Sequence, residues 1–272
     1  MFNHALMGSL MRKAVEPEPT YALILNHEED YAHNDNVPIW NDKTGNDAHA
    51  VQATASRQPS WSTTQFNAGS VQGASNKGLI IPANAHINDI FAGSGGGVAF
   101  VAKIDAAGGG SYGRILDKHP ATDEKCGFRV TVDFQNAYNC TFIYVFSLIG
   151  ATVANRRVAL RHPNLSTYGN RILHIWNFKA DPQDWESEVY FFGQGTVNGK
   201  TTSQILHTPV SGASYTEDDE DLGVLNGNTV TTAFCAGAVP FVKFKKGSFF
   251  TLAEIEGLKI LAKNTYQVNI PD

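Results

Sequence analysis

Cysteine is scarce in this chain. Cys126, Cys140 and Cys235 are the whole complement of 272 residues, and no two of them form the CxxC pair that zinc sites use. That count rules out a disulfide framework, so the three are read as buried free thiols of a protein made in a reducing cytosol. Charge is thin as well. Asp, Glu, Lys and Arg make up 17% of the residues, against ~25% in ordinary soluble domains. The net charge of -5 comes with no basic stripe interleaved with aromatics, which excludes a nucleic-acid binder that works by neutralising phosphates. The one basic patch, "KFKK" at 243–246, is short. No apolar run approaches the ~20 residues that span a bilayer, so no membrane partner is expected. A secretory leader would set basic residues before an apolar run, whereas Arg12 and Lys13 follow "MFNHALMGSLM".

Patterns that carry catalysis are missing too. Glycanases need two carboxylates on one strand face, and the nearest strings are "WESEVYF" and "EDDED". Glu186 and Glu188 share a side of a strand, but no third acid continues it. The Q-x-H and Y-x-K-x-G-x-Y patterns of polysaccharide lyases do not occur. None of the nine histidines forms an H-E-x-x-H pair, and no G-x-S-x-G elbow presents a serine. The glycine-rich "AGSGGGVAF" at 92–100 lacks a following lysine and leads into a strand, so it does not cradle phosphate. The acidic run at 217–221 reads as a solvated loop, because contiguous acids lack the alternate-ligand spacing of a calcium loop. No enzyme activity, cofactor or metal is expected.

What the chain has in quantity is short strands. "YALILN", "GVAFVAKID", "GRILDK", "FRVTVDF", "CTFIYVFSLIG", "RRVALRH", "RILHIWNF", "SEVYFFG" and "PFVKFKK" are rich in Val, Ile, Phe and Tyr and fenced by Gly, Pro, Asn or Asp. "FRVTVDF" alternates, with Phe128, Val130, Val132 and Phe134 on one face and Arg129, Thr131 and Asp133 on the other, as a half-buried antiparallel strand requires. Asn-Gly steps in "VNGK" at 197–200 and "NGN" at 226–228 suit tight turns. A helix is predicted over 251–262, where Thr251 and Glu254 form a capping box and Leu252, Ile255, Leu258, Ile260 and Leu261 supply an apolar side. Many strands without βαβ alternation predict an all-β fold of two antiparallel sheets, closed by this C-terminal helix.

Residues 1–20 read differently. Phe2, Leu6 and Leu10 recur at four-residue spacing before the proline-rich "VEPEPT", the pattern of a short amphipathic arm on a linker ahead of a single domain over 21–272. Such a helix is marginal alone in water, and the alternative is a frayed terminus.

"WNDKTGNDA" at 40–48, "QAT" at 52–54 and "QPSW" at 58–61 resemble the first strand pair of concanavalin A-like (laminin G-like) jelly-roll domains. "GGVAFVAKIDAAGGGSYGRILDK", "ILHIWNFKADPQDWESEVYFFGQGTVNGK", "FVKFKKGSFFTLAEIEGL" and "KNTYQV" follow in the family's order, so the resemblance spans about 40–268. The last resembles a tail seen in phage-encoded members. The resemblance implies a jelly-roll sandwich, and Trp40 and Trp61 are read as core aromatics in place of sugar-stacking platforms.

Two binding roles follow. The first is a non-enzymatic phage virion structural protein, a capsid decoration, head-fibre or tail-appendage component assembled in the host cytoplasm. Phe2, Leu6 and Leu10 would attach it to capsid, neck or tail proteins or to further copies in a homo-oligomer, and a host glycan is an additional partner. The second is a lectin-like carbohydrate-binding module independent of a virion. For glycan contact the loop aromatics Tyr112, Trp185 and Tyr215 are the candidates.

Overall fold

The computed structural model describes residues 21–106, 112–119, 126–136, 139–147, 157–161, 169–180, 186–194, 196, 198–201, 204–207, 219–227 and 234–272. The chain begins with β1 (Leu23–Leu25), β2 (Ile39–Trp40), β3 (Ala50–Val51), β4 (Ser60–Ser62), β5 (Ser70–Gly73) and β6 (Leu79–Ile81). Longer strands follow: β7 (Gly96–Ala106), β8 (Tyr112–Asp117), β9 (Gly127–Asn136), β10 (Asn139–Ser147), β11 (Arg157–Arg161), β12 (Arg171–Lys179) and β13 (Glu186–Gly193). Last come β14 (Gly199–Lys200), β15 (Gln204–His207), β16 (Leu222–Val224), β17 (Ala236–Lys246) and the helix α1 (Leu252–Asn264). All pairings between these strands are antiparallel, and they form two sheets. One has the order β14-β13-β12-β7-β17-β5-β4, with β1 also on β17; the other runs β15-β11-β10-β9-β8-β16-β6-β3-β2. This is the two-sheet β-sandwich with one C-terminal helix that the strand pattern predicts.

The sheets bury different numbers of faces, and the sequence records it. In β9, Phe128, Val130 and Val132 face the inter-sheet core while Arg129 and Thr131 face outward, hence the alternation. In β12, Ile172, Trp176 and Phe178 enter that core, whereas Leu173 and Ile175 enter a second core on the sheet's outer side. A strand apolar on both faces reads as a continuous run. Between the sheets, Phe91 lies 4.7 Å from Trp176 and 5.1 Å from Phe128, centroid to centroid. Cys126 and Cys235 are buried thiols here.

The second core exists because α1 and the tail after it lie on the eight-stranded sheet. Ile255, Leu258, Ala262, Tyr266, Val268 and Ile270 pack onto Val101, Leu173, Ile175, Tyr190 and Phe241. The capping box forms as predicted, with the Glu254 N–H donating to Thr251 Oγ1 and the Thr251 N–H to Glu254 Oε2 at 2.7 Å. The predicted apolar side needs correction. Leu252 is 76% exposed and Ile260 54% exposed, because the buried set 255, 258 and 262 follows the one stripe that faces the sheet. The "KFKK" patch is consumed internally: Lys243 lies over the Tyr21 ring, Lys245 pairs with Glu254 at 2.7 Å, and Lys246 donates to the Ala85 carbonyl.

The opening tryptophans are architecture. Trp40 is fully buried and donates through Nε1 to the Asn26 carbonyl, and Trp61 lies against Gly69. Asp42 ties the turn to β1. Burial pushes its carboxyl up, but hydrogen bonds from the Thr44 hydroxyl (2.6 Å) and the Thr44, Ile24 and Ala48 N–H groups outweigh this and hold it below the usual carboxylate range. At "VNGK" Asn198 takes the positive φ expected, 51°. At "NGN" the positive φ falls one residue earlier, on Leu225.

Candidate functional site

The residues singled out from sequence mostly fall elsewhere. Phe2, Leu6 and Leu10, the whole 1–20 segment, Trp185 and Tyr215 lie outside the described residues. Tyr112 opens β8, its backbone paired with Asp133 and two residues from Arg114; its side chain is likewise outside them. Among the described residues no three His, Cys, Asp or Glu side chains gather into a metal-binding group. Of the acidic run, Asp221 accepts from the Ala83 N–H at 2.8 Å, and the Glu220 carbonyl accepts from Lys118 Nζ, so this part is tied to the ends of neighbouring strands.

Glu186 and Glu188 do share a face of β13. Burial pushes the Glu188 carboxyl up, but Lys200 at 2.7 Å, Tyr190 and Asn177 hold it below its ordinary range. Its cross-strand partner is Asn177, not an acid.

Folding creates a polar cleft that no stretch of sequence announces. It has a volume of about 230 Å³ and lies where β7 and β12 meet the tail after α1, lined by Lys103, Asn170, Arg171, Gln194, Gln267 and Asn269. Lys103 and Arg171 are direct partners in the β7–β12 ladder and lie beyond the apolar rows that α1 covers. Lys103 Nζ donates to Gln65 Oε1 at 2.6 Å and pairs with Asp105 at 3.2 Å. Arg171 Nε donates to the Gln65 carbonyl at 3.0 Å, Nη1 donates to Gln267 Oε1 at 2.9 Å, and the guanidinium lies 5.1 Å over the Phe66 ring. Gln267 reaches Arg171 from a backbone φ of 53°. That left-handed conformation disfavours residues with a Cβ by roughly 1–2 kcal/mol, so the tail is held there by what it touches. Sequence reasoning missed this set because it assembles from four separated segments.

A second polar group lies on the outer face of the nine-stranded sheet. Arg114 and Arg129 both donate to Asp117, which is fully buried, and the hydroxyl of Thr131, the ladder partner of Arg114, has no hydrogen-bond partner. Each guanidinium is about one-fifth exposed. This group reads as a bracing network for the β8–β9 bulge, since its carboxylate is spent on its own arginines.

No protein-family model matches the chain, and no curated protein does. Solved structures do. The binding domain of botulinum neurotoxin serotype D superimposes with a TM-score of 0.52 at 10% identity, over 88% of this chain and 50% of that one. A Trypanosoma rangeli sialidase in complex with sialic acid gives 0.50 at 14% identity, over 89% and 33%. The CBM40 of Ruminococcus gnavus IT-sialidase, bound to α2,3-sialyllactose, gives 0.44 at 7%, over 70% and 95%. The chain thus spans half and a third of the length of the first two. At these identities the likeness of the first two is one of fold, that of a two-sheet β-sandwich.

Proposed function

We propose that the protein is a lectin-like carbohydrate-binding module whose ligand enters the cleft beside Lys103 and Arg171. The lining carries the reading. Asn170, Gln194, Gln267 and Asn269 surround the space with side-chain amides. Each amide both donates and accepts, which is what sugar hydroxyls require. At about 230 Å³ the cleft is smaller than the ~300–1,000 Å³ of drug-sized sites, so it suits a terminal sugar residue over a length of chain. A sialidase in complex with sialic acid among the structural neighbours supports a glycan as the ligand class.

Binding without turnover is the expectation. Glu188 is tied to Lys200 and Tyr190, and no third acid continues the face it shares with Glu186. The virion role rests on the arm residues and on the resemblance of "KNTYQV" to phage-encoded members, and no described residue favours it over glycan binding. Calorimetric titration with neutral and acidic oligosaccharides, run beside a reducing-end assay, tests the proposal. Saturable heat without new reducing ends is expected. Absence of heat with every sugar at millimolar concentration would overturn it.

A further inference from the structure

We infer that the sugar held in this cleft is acidic, its carboxylate bridging Lys103 and Arg171; this rests on the carbohydrate reading and names the ligand class. The two cations are direct cross-strand partners, and like charges so placed repel. The neighbours offset this only in part. Gln65 accepts from both but is neutral, as is Gln267. Among the described residues Asp105 alone brings a charge, so two positive groups face one negative group and a net +1 is left. The remaining lining is neutral, in a protein whose net charge is -5.

Spare donors point the same way. Lys103 Nζ has three protons and two protein acceptors, and Arg171 keeps Nη2 without a hydrogen bond among the described residues. Two donors on neighbouring cations match the two oxygens of a carboxylate. The amides of Gln194 and Asn269 then remain for ring hydroxyls. Asp105 sets how much positive charge the pair presents and so acts as a positioning residue.

The test uses matched probes on the full chain: sialyllactose against lactose, glucuronate against glucose, and acetate alone. At low salt an acidic member should bind at least about tenfold tighter than its neutral counterpart, as a charge-assisted contact implies. Raising the salt and Lys103→Gln should each erase that preference. Asp105→Asn should strengthen acid binding, a gain that misfolding cannot mimic. Equal, salt-independent binding of acidic and neutral members overturns this inference and leaves the carbohydrate reading intact. Binding of acetate that depends on Lys103, with no sugar bound, overturns the carbohydrate reading instead. If no probe binds, both fall.

Discussion

Asn177 should be the residue on which the helix side of the sandwich depends most. It is fully buried on β12, accepts from the Phe250 N–H at 2.9 Å and donates to the Phe250 carbonyl at 3.1 Å. The amide thereby imitates a strand partner for the residue that precedes the Thr251 cap. Phe250 packs over Gly97, where an added Cβ would lie 2.4 Å from the ring, so backbone and ring are fixed together. Asn177→Ala strands two buried backbone groups, each worth about 1–3 kcal/mol. A net loss of about 3 kcal/mol corresponds to a fall in Tm of roughly 6–12 °C for a domain of this size. Differential scanning calorimetry reads this directly, and the urea m-value should stay unchanged, since a stability loss alone moves only the midpoint. A fall of less than about 2 °C would refute the reasoning, because the lost pair would then be worth under ~1 kcal/mol.

Two further perturbations probe other buried turns. Asp42 has a depressed carboxyl pKa in the fold, so its stabilising effect is present above the unfolded-state value and lost as pH falls through the folded one. Asp42→Asn should cost about 1–3 kcal/mol at neutral pH, and the gap to wild type in urea midpoints should close below about pH 4; a constant gap would contradict the assignment. At Gly69, φ is +99° and a Cβ would sit 2.4 Å from the Trp61 ring. Gly69→Ala is expected to destabilise by about 3 kcal/mol from overpacking and strain together, and an unchanged denaturation midpoint would show that Trp61 has room to move.

What the sequence discloses depends on how each element is stabilised. β9 shows its alternation and β7 and β12 their continuous apolar runs, because burial of one face or two dictates the pattern residue by residue. The Thr251–Glu254 box was legible for the same local reason, and so were Trp40 and Trp61 as core. Strand composition did not predict β2 to β6 or β14 to β16, although the stretch at 40–61 resembled a family strand pair. They are two to four residues long, several rich in Ser, Gly and Gln, and are strands only because a neighbour supplies the ladder. Leu252 and Ile260 were misread because residues 255, 258 and 262 already fill the one stripe that meets the sheet. The cleft was invisible for a deeper reason. Lys103 and Arg171 stand 68 positions apart and become neighbours only through the β7–β12 register, while the aromatics chosen for glycan contact were picked from loop position alone.

Amide chemical-shift mapping during titration with an acidic sugar tests the central claim most directly. The account predicts that the largest shifts cluster at Lys103, Gly169 to Arg171, Gln194, Gln267 and Asn269, the segments that form the cleft. Shifts centred instead on Arg114, Arg129 and Thr131 would place the ligand on the nine-stranded sheet and contradict it.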